Sequence, residues 1–123
     1  MKIINCAKRY KAIGPYSQAV ISGQMFITSG VIGVNEKGEL ANDLDGQVSE
    51  IFLNIKDILA EQKLSLSNVV KTTCFLSDMN DFATFNKLYE IEFGEHKPAR
   101  STVQVARLPR DAKIEIEFIA EIN

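Results

Sequence analysis

Seven apolar residues, Leu44, Val48, Ile51, Phe52, Ile55, Ile58 and Leu59, recur at steps of three and four, the spacing of one face of an α-helix. A stripe of that length must be covered, so the chain needs another apolar layer to fold against it. Asn42 and Asp43 stand where an N-cap is needed. The covering layer reads as strand. Tyr16–Ser22 and Met25–Ser29 predict a hairpin turned at Gly23-Gln24, followed by a glycine-rich loop from Gly30 to Gly38. Asn68–Leu76 is β-branched and apolar. Phe82, Phe85, Tyr89 and Phe93 mark a second amphipathic helix, closed by Gly94. A strand beginning at Arg100 and another over Lys113–Glu121 complete the chain. Strand pairs separated by single helices imply an α+β layer with both helices packed on one sheet face.

With 123 residues, 46% hydrophobic and 24% charged, the chain is expected to form one domain over 1–123 with a real core. Its apolar runs fall far short of the roughly 20 residues that cross a bilayer, and no hydrophobic signal segment follows Met1-Lys2, so no membrane role and a cytosolic location are expected. Cys6 and Cys74 lack metal or redox spacing and read as buried reduced thiols in strand-like segments. A net charge of -2 gives no overall attraction to nucleic acid.

The lead to chemistry is Arg100, in Pro98-Ala99-Arg100-Ser101-Thr102-Val103-Gln104-Val105. A guanidinium grips a carboxylate with two parallel hydrogen bonds, which suits it to anchor a small organic acid; the plain alternative is a surface arginine at a strand start. Asn86 sits beside the second helix's apolar stripe, where it either meets something polar or simply edges the surface. Glu115, Glu117 and Glu121 alternate with isoleucines and share one strand face, which faces water unless another subunit covers it. If Leu108–Ala112 closes a simple hairpin, Ala106 faces Glu115 and Arg100 lies roughly 20 Å away at about 3.3 Å per residue. A site using both would then join different subunits.

Other chemistries find little support. One histidine, His96, and no clustered Cys/His/Asp set argue against a metal, and His96 follows the second helix near its end, where a solvent-facing or capping role is expected. Gly30-Val31-Ile32-Gly33 has a GxxG form but apolar centres, and no phosphate-cradling glycine loop is present.

Gly14-Pro15-Tyr16-Ser17-Gln18-Ala19, Thr28-Ser29-Gly30, Asn80-Asp81-Phe82-Ala83 and the run PARSTVQVARLPRDAKIEIE together resemble the Rid family, also called YjgF-like proteins, and within it the RidA-type enamine/imine deaminases. The resemblance spans nearly the whole chain. It implies a chorismate-mutase-like fold of the Bacillus type, with a mixed β-sheet backed by two helices, a homotrimer with ligand clefts between subunits, and no cofactor. The implied reaction hydrolyses imines derived from 2-aminoacrylate or 2-aminocrotonate, products of pyridoxal-phosphate dehydratases, to 2-keto acids and ammonia. On this resemblance Arg100 clamps the carboxylate, Gly30 offers a backbone N–H with Ser29 alongside, Glu115 holds water or relays its proton, and Tyr16 and Asn86 line the wall. Many relatives carry cysteine where this chain has Thr102, so a thiol nucleophile is ruled out and a hydroxyl remains. Glu95-His96-Lys97 also lacks the longer aromatic-ended loop of some members. Whether the Glu115 pKa falls beside an arginine or rises in a dry cleft is open at this level. The rival readings are a trimeric keto-acid-binding regulatory protein and an RNA-binding protein, ribonuclease or translation inhibitor, for which an acidic chain with one histidine is poorly equipped.

Overall fold

The computed structural model describes residues 1–123. Its strands are β1 (Lys2–Ile4), β2 (Ala19–Ser22), β3 (Met25–Thr28), β4 (Val31–Ile32), β5 (Val69–Leu76), β6 (Ala99–Gln104) and β7 (Ile114–Glu121), with helices α1 (Leu44–Ala60) and α2 (Phe82–Phe93). The seven strands form one sheet in the order β1-β2-β3-β7-β5-β6, with β4 paired to β7 as well. Only β5 and β6 are parallel; the other pairs are antiparallel.

The local elements follow the sequence periodicities. Asp43 is the N-cap of α1, its carboxylate accepting a 2.8 Å hydrogen bond from the Gly46 amide. Gly94, at φ +65°, ends α2 in a backbone conformation that residues with a Cβ rarely adopt. Gly23-Gln24 turns the β2–β3 hairpin between the paired Ser22 and Met25. Two short strands escape the sequence patterns: β1 has three residues, and β4 lies inside the glycine-rich loop. Neither is long enough to show a period.

A core of 21 buried residues lies between the two helices and one face of the sheet. Phe52 of α1 is its hub, edge-on to Tyr89 and Phe93 of α2 and to Phe118 of β7, with centroids 5.4 to 6.1 Å apart. Along β7, Ile114, Ile116, Phe118 and Ala120 enter this core while Glu115 and Glu117 point to the opposite face.

The expected hairpin between the last two strands does not form. β6 instead runs parallel to β5, which lies between β6 and β7. The physical reason is the β5–α2–β6 connection, a helical crossover that returns the chain parallel to its starting strand. The residues after Gln104 then pass through a 3-10 turn at Pro109–Asp111 before β7. In register, Arg100 pairs with Thr72, which pairs with Phe118. Arg100 and Glu115 are thus three residues along and two strands across, roughly 14 Å between Cα atoms rather than the roughly 20 Å of the hairpin.

Candidate functional site

The β3–β4 break builds the first cluster. β3 and β4 pair with successive parts of β7, and between them the chain bends at Ser29-Gly30. The Thr28 hydroxyl accepts the Phe118 amide at 3.0 Å, filling the gap that the break leaves in the ladder. Ser29 Oγ donates to the Ser17 carbonyl at 2.6 Å and the Ser29 amide donates to Gln18 O at 3.0 Å, tying the Gly14–Gln18 segment to the break. Gly30 lies against Glu115: a Cβ there would stand 2.7 Å from Glu115 Cδ and 2.9 Å from Oε2. Tyr16, Ser29 and Gly30 line a cavity of about 520 Å³. Burial, and then the neighbouring Glu117 charge, raise the Glu115 pKa above the ordinary carboxylate value, so the question left open by sequence is answered within this chain in favour of the raised direction.

Gln18 holds the loop that precedes this cluster. Its amide nitrogen donates to Tyr10 O at 3.0 Å, and its oxygen accepts the Cys6 amide at 2.5 Å. Arg9, whose side chain is only 7% exposed, is bound to Asn54 at 2.6 Å and Glu50 at 2.8 Å, with Asp57 and Glu36 at 3.6 and 3.9 Å. These ties anchor the N-terminal segment on α1. Sequence reasoning passed over both residues; the signal for Gln18 was its place in the Gly-Pro-Tyr-Ser-Gln motif.

The second cluster forms where α2 crosses β6. Arg100 is partly buried and forms neither a salt bridge nor a hydrogen bond through its guanidinium; it lies over the rings of Tyr89, Phe82 and Phe85 at 4.8, 5.6 and 5.9 Å. Asn86 and Arg100 share a second cavity of about 430 Å³. Thr102 lies two residues along β6 from Arg100, its hydroxyl buried with no hydrogen-bond partner. Its neighbour across the strand pair is Cys74, fully buried, whose thiol pKa burial pushes up to about 11 against the opposing Thr72 hydroxyl and Arg100 charge. His96 is not simply solvent-facing: its Nε2 is 2.7 Å from the Val69 carbonyl and its ring lies 6.0 Å from Phe93. Cys6 and Cys74 are both free and buried, although Cys6 lies beyond β1 rather than within a strand.

The predicted residues therefore divide into two groups. Arg100 and Thr102 lie on the helix side of the sheet with Thr72 and Cys74, and Asn86 stands nearby; Tyr16, Ser29, Gly30 and Glu115 gather elsewhere, with Glu115 on the opposite face. Within one chain the Arg100 guanidinium and the raised-pKa Glu115 carboxyl cannot act on one small molecule. No three carboxylate, thiol or imidazole groups converge as metal ligands would, and no helix is long and apolar enough to cross a membrane.

Fold and geometry define a small α+β protein with a free guanidinium on one side of its sheet and a raised-pKa carboxyl on the other. The chain belongs to the family described as Endoribonuclease L-PSP, whose model matches residues 6–122, the YjgF/Rid family that its motifs resemble. A 2-iminobutanoate/2-iminopropanoate deaminase of Escherichia coli K12 is 53% identical over 113 residues, covering 89% of this chain and 88% of its own. A RutC family protein of Pyrococcus abyssi is 46% identical over 121 residues, covering 97% and 95%. Among solved structures, E. coli TdcF with bound serine superposes with a TM-score of 0.94 at 45% identity, all of both chains covered. Yeast Mmf1 also gives 0.94, at 36% identity over 99% of this chain and 98% of its own.

Proposed function

We propose that this chain is an imine deaminase that hydrolyses 2-iminopropanoate and 2-iminobutanoate to the 2-keto acids and ammonia. The observation that carries the reading is Arg100: a charged guanidinium with no carboxylate of its own chain paired to it, on an aromatic bed beside a cavity, is suited to anchor a small carboxylate. The deaminase name of the E. coli relative and the serine, itself an α-amino carboxylate, bound to E. coli TdcF support it.

The chemistry requires little machinery. An enamine released by a dehydratase tautomerises to the imine, whose C2 is electrophilic. Water adds to C2, and the carbinolamine expels ammonia to leave the ketone, so one water is consumed for each ammonia released. Arg100 holds the carboxylate and fixes C2 relative to that water. Glu115, with its raised pKa, takes the water proton during attack and returns it to the departing nitrogen. Asn86 and Thr102 complete the Arg100 side; Tyr16, Ser29 and Gly30 complete the Glu115 side.

The two sides occupy opposite faces of the sheet, which supports a working site between copies of the chain; the resemblance to the Rid family makes that assembly a homotrimer. The domain spans 1–123 and acts in the cytoplasm, downstream of pyridoxal-phosphate dehydratases, with no cofactor. The test is a coupled assay in which a serine or threonine dehydratase supplies the enamine. Faster keto-acid formation with wild type than with Arg100→Ala or no added protein supports the reading. Equal rates in all three, with wild type folded and trimeric, transfer it to the keto-acid-binding regulatory alternative.

A ribonuclease reading is favoured by the family's description and by the names given to two similar solved structures. The single imidazole has its Nε2 engaged with the Val69 carbonyl, which leaves Nδ1 alone for proton transfer and no second imidazole to serve as the acid in cleavage. Cleavage of RNA by wild type and not by His96→Ala would restore that reading.

A further inference from the structure

An arginine side chain loses much rotamer freedom when it is fixed, and Arg100 has no ion pair to fix it. Its nearest support is the Tyr89 ring, 4.8 Å from the guanidinium carbon, closer than Phe82 or Phe85. Tyr89 differs from those two in having a hydroxyl, which lies 2.7 Å from Thr72 Oγ1. Thr72 is fully buried and is the residue in register with Arg100 on the adjoining strand. The strand pair that sets the Arg100 backbone therefore also sets the ring under its head group. Phe52, Phe85 and Phe93 pack around that ring at 6.1, 5.6 and 4.8 Å, closing off its other sides.

We infer that Tyr89 is the positioning residue for Arg100: its ring face holds the guanidinium where it meets a carboxylate, and the Thr72 hydroxyl fixes the ring. The inference rests on the reading of Arg100 as the carboxylate anchor. A phenylalanine at 89 keeps the face and loses only the hydroxyl tie; an aliphatic residue loses both. In both cases the same hydrogen bond disappears, so the difference between the two variants isolates the ring face.

The experiment uses the full chain and 2-oxobutanoate as the probe. Calorimetric titration is expected to show binding weakened about threefold in Tyr89→Phe and about twentyfold in Tyr89→Leu, with KM for the imine rising more than kcat falls, since the anchor acts in the ground state too. Equal losses in the two variants, or a folded Tyr89→Leu that binds like wild type, would overturn the inference. If Tyr89→Leu does not fold, Tyr89→Met takes its place with the same expectations. Arginine Nε–H NMR of the ligand-free protein gives a readout independent of function: the Arg100 signal, identified by its loss in Arg100→Lys, is expected to be ring-current shifted equally in wild type and Tyr89→Phe and clearly less in the aliphatic variant, where only the more distant Phe82 and Phe85 rings remain. An unshifted wild-type signal overturns the inference. A shifted one, with 2-oxobutanoate binding unaffected by Arg100→Ala, upholds the Tyr89 contact and overturns the anchor reading instead.

Discussion

Gly30 lies so close to Glu115 that a single added methyl would stand 2.7 Å from the carboxyl carbon, inside any normal contact. The carboxyl is held against a bend in the chain, and that bend exists because β3 and β4 share β7 with a break between them.

Gly30→Ala is therefore expected to separate stability from activity. Gly30 is not among the positive-φ residues, so alanine brings no backbone strain, and the obstructing group is a flexible side chain that can swing away. Thermal denaturation should show a loss of about 1 kcal/mol or less, whereas a displaced Glu115 should lower deaminase kcat on the order of a hundredfold. Activity equal to wild type would remove Glu115 from the proton path.

Glu115→Gln should raise stability at neutral pH while abolishing turnover. The sign follows from the raised pKa: the folded state holds the Glu115 proton more tightly than the unfolded chain, so stability from this group grows as pH falls through the folded pKa, and the ionised form is unfavourable above it. Melting temperatures of the variant and wild type should converge in acid and diverge towards pH 7. Glu117→Gln removes the second cause of the shift, and the acid limb of the wild-type pH–rate profile should move to lower pH.

Arg9 tests structure apart from chemistry. Removing its buried guanidinium strands Glu50 and Asn54, so Arg9→Ala should cost about 3 kcal/mol in denaturant unfolding. A cost below about 1 kcal/mol would place Arg9 among ordinary surface ion pairs.

Cys74 is fully buried with its thiol pKa raised to about 11, so it stays protonated through the physiological range. Folded Cys6→Ser protein, left with Cys74 alone, should resist a thiol reagent at pH 8 and react at once in denaturant. Rapid labelling of the native form would mean that the core opens at β5.

Much was legible locally. The helix spans, the Asp43 cap, the Gly94 stop and the alternation of β7 all appeared in the residue pattern, because each depends on neighbours within a few positions. The motifs that carry the Rid resemblance were legible for the same reason. The Tyr89–Thr72 pair left only a faint trace, one tyrosine in a stripe otherwise built from phenylalanines.

By itself the sequence determined the two helices and the five longer strands, which residue types bear the chemistry, and the family, since periodicity and motif are properties of contiguous chain. Tertiary structure alone decided strand order, which overturned the β6–β7 hairpin, and with it the faces of Arg100 and Glu115 and the direction of the Glu115 pKa. Those depend on contacts such as the Phe118 amide on the Thr28 hydroxyl, 90 residues apart, where no local pattern records which partner burial will select.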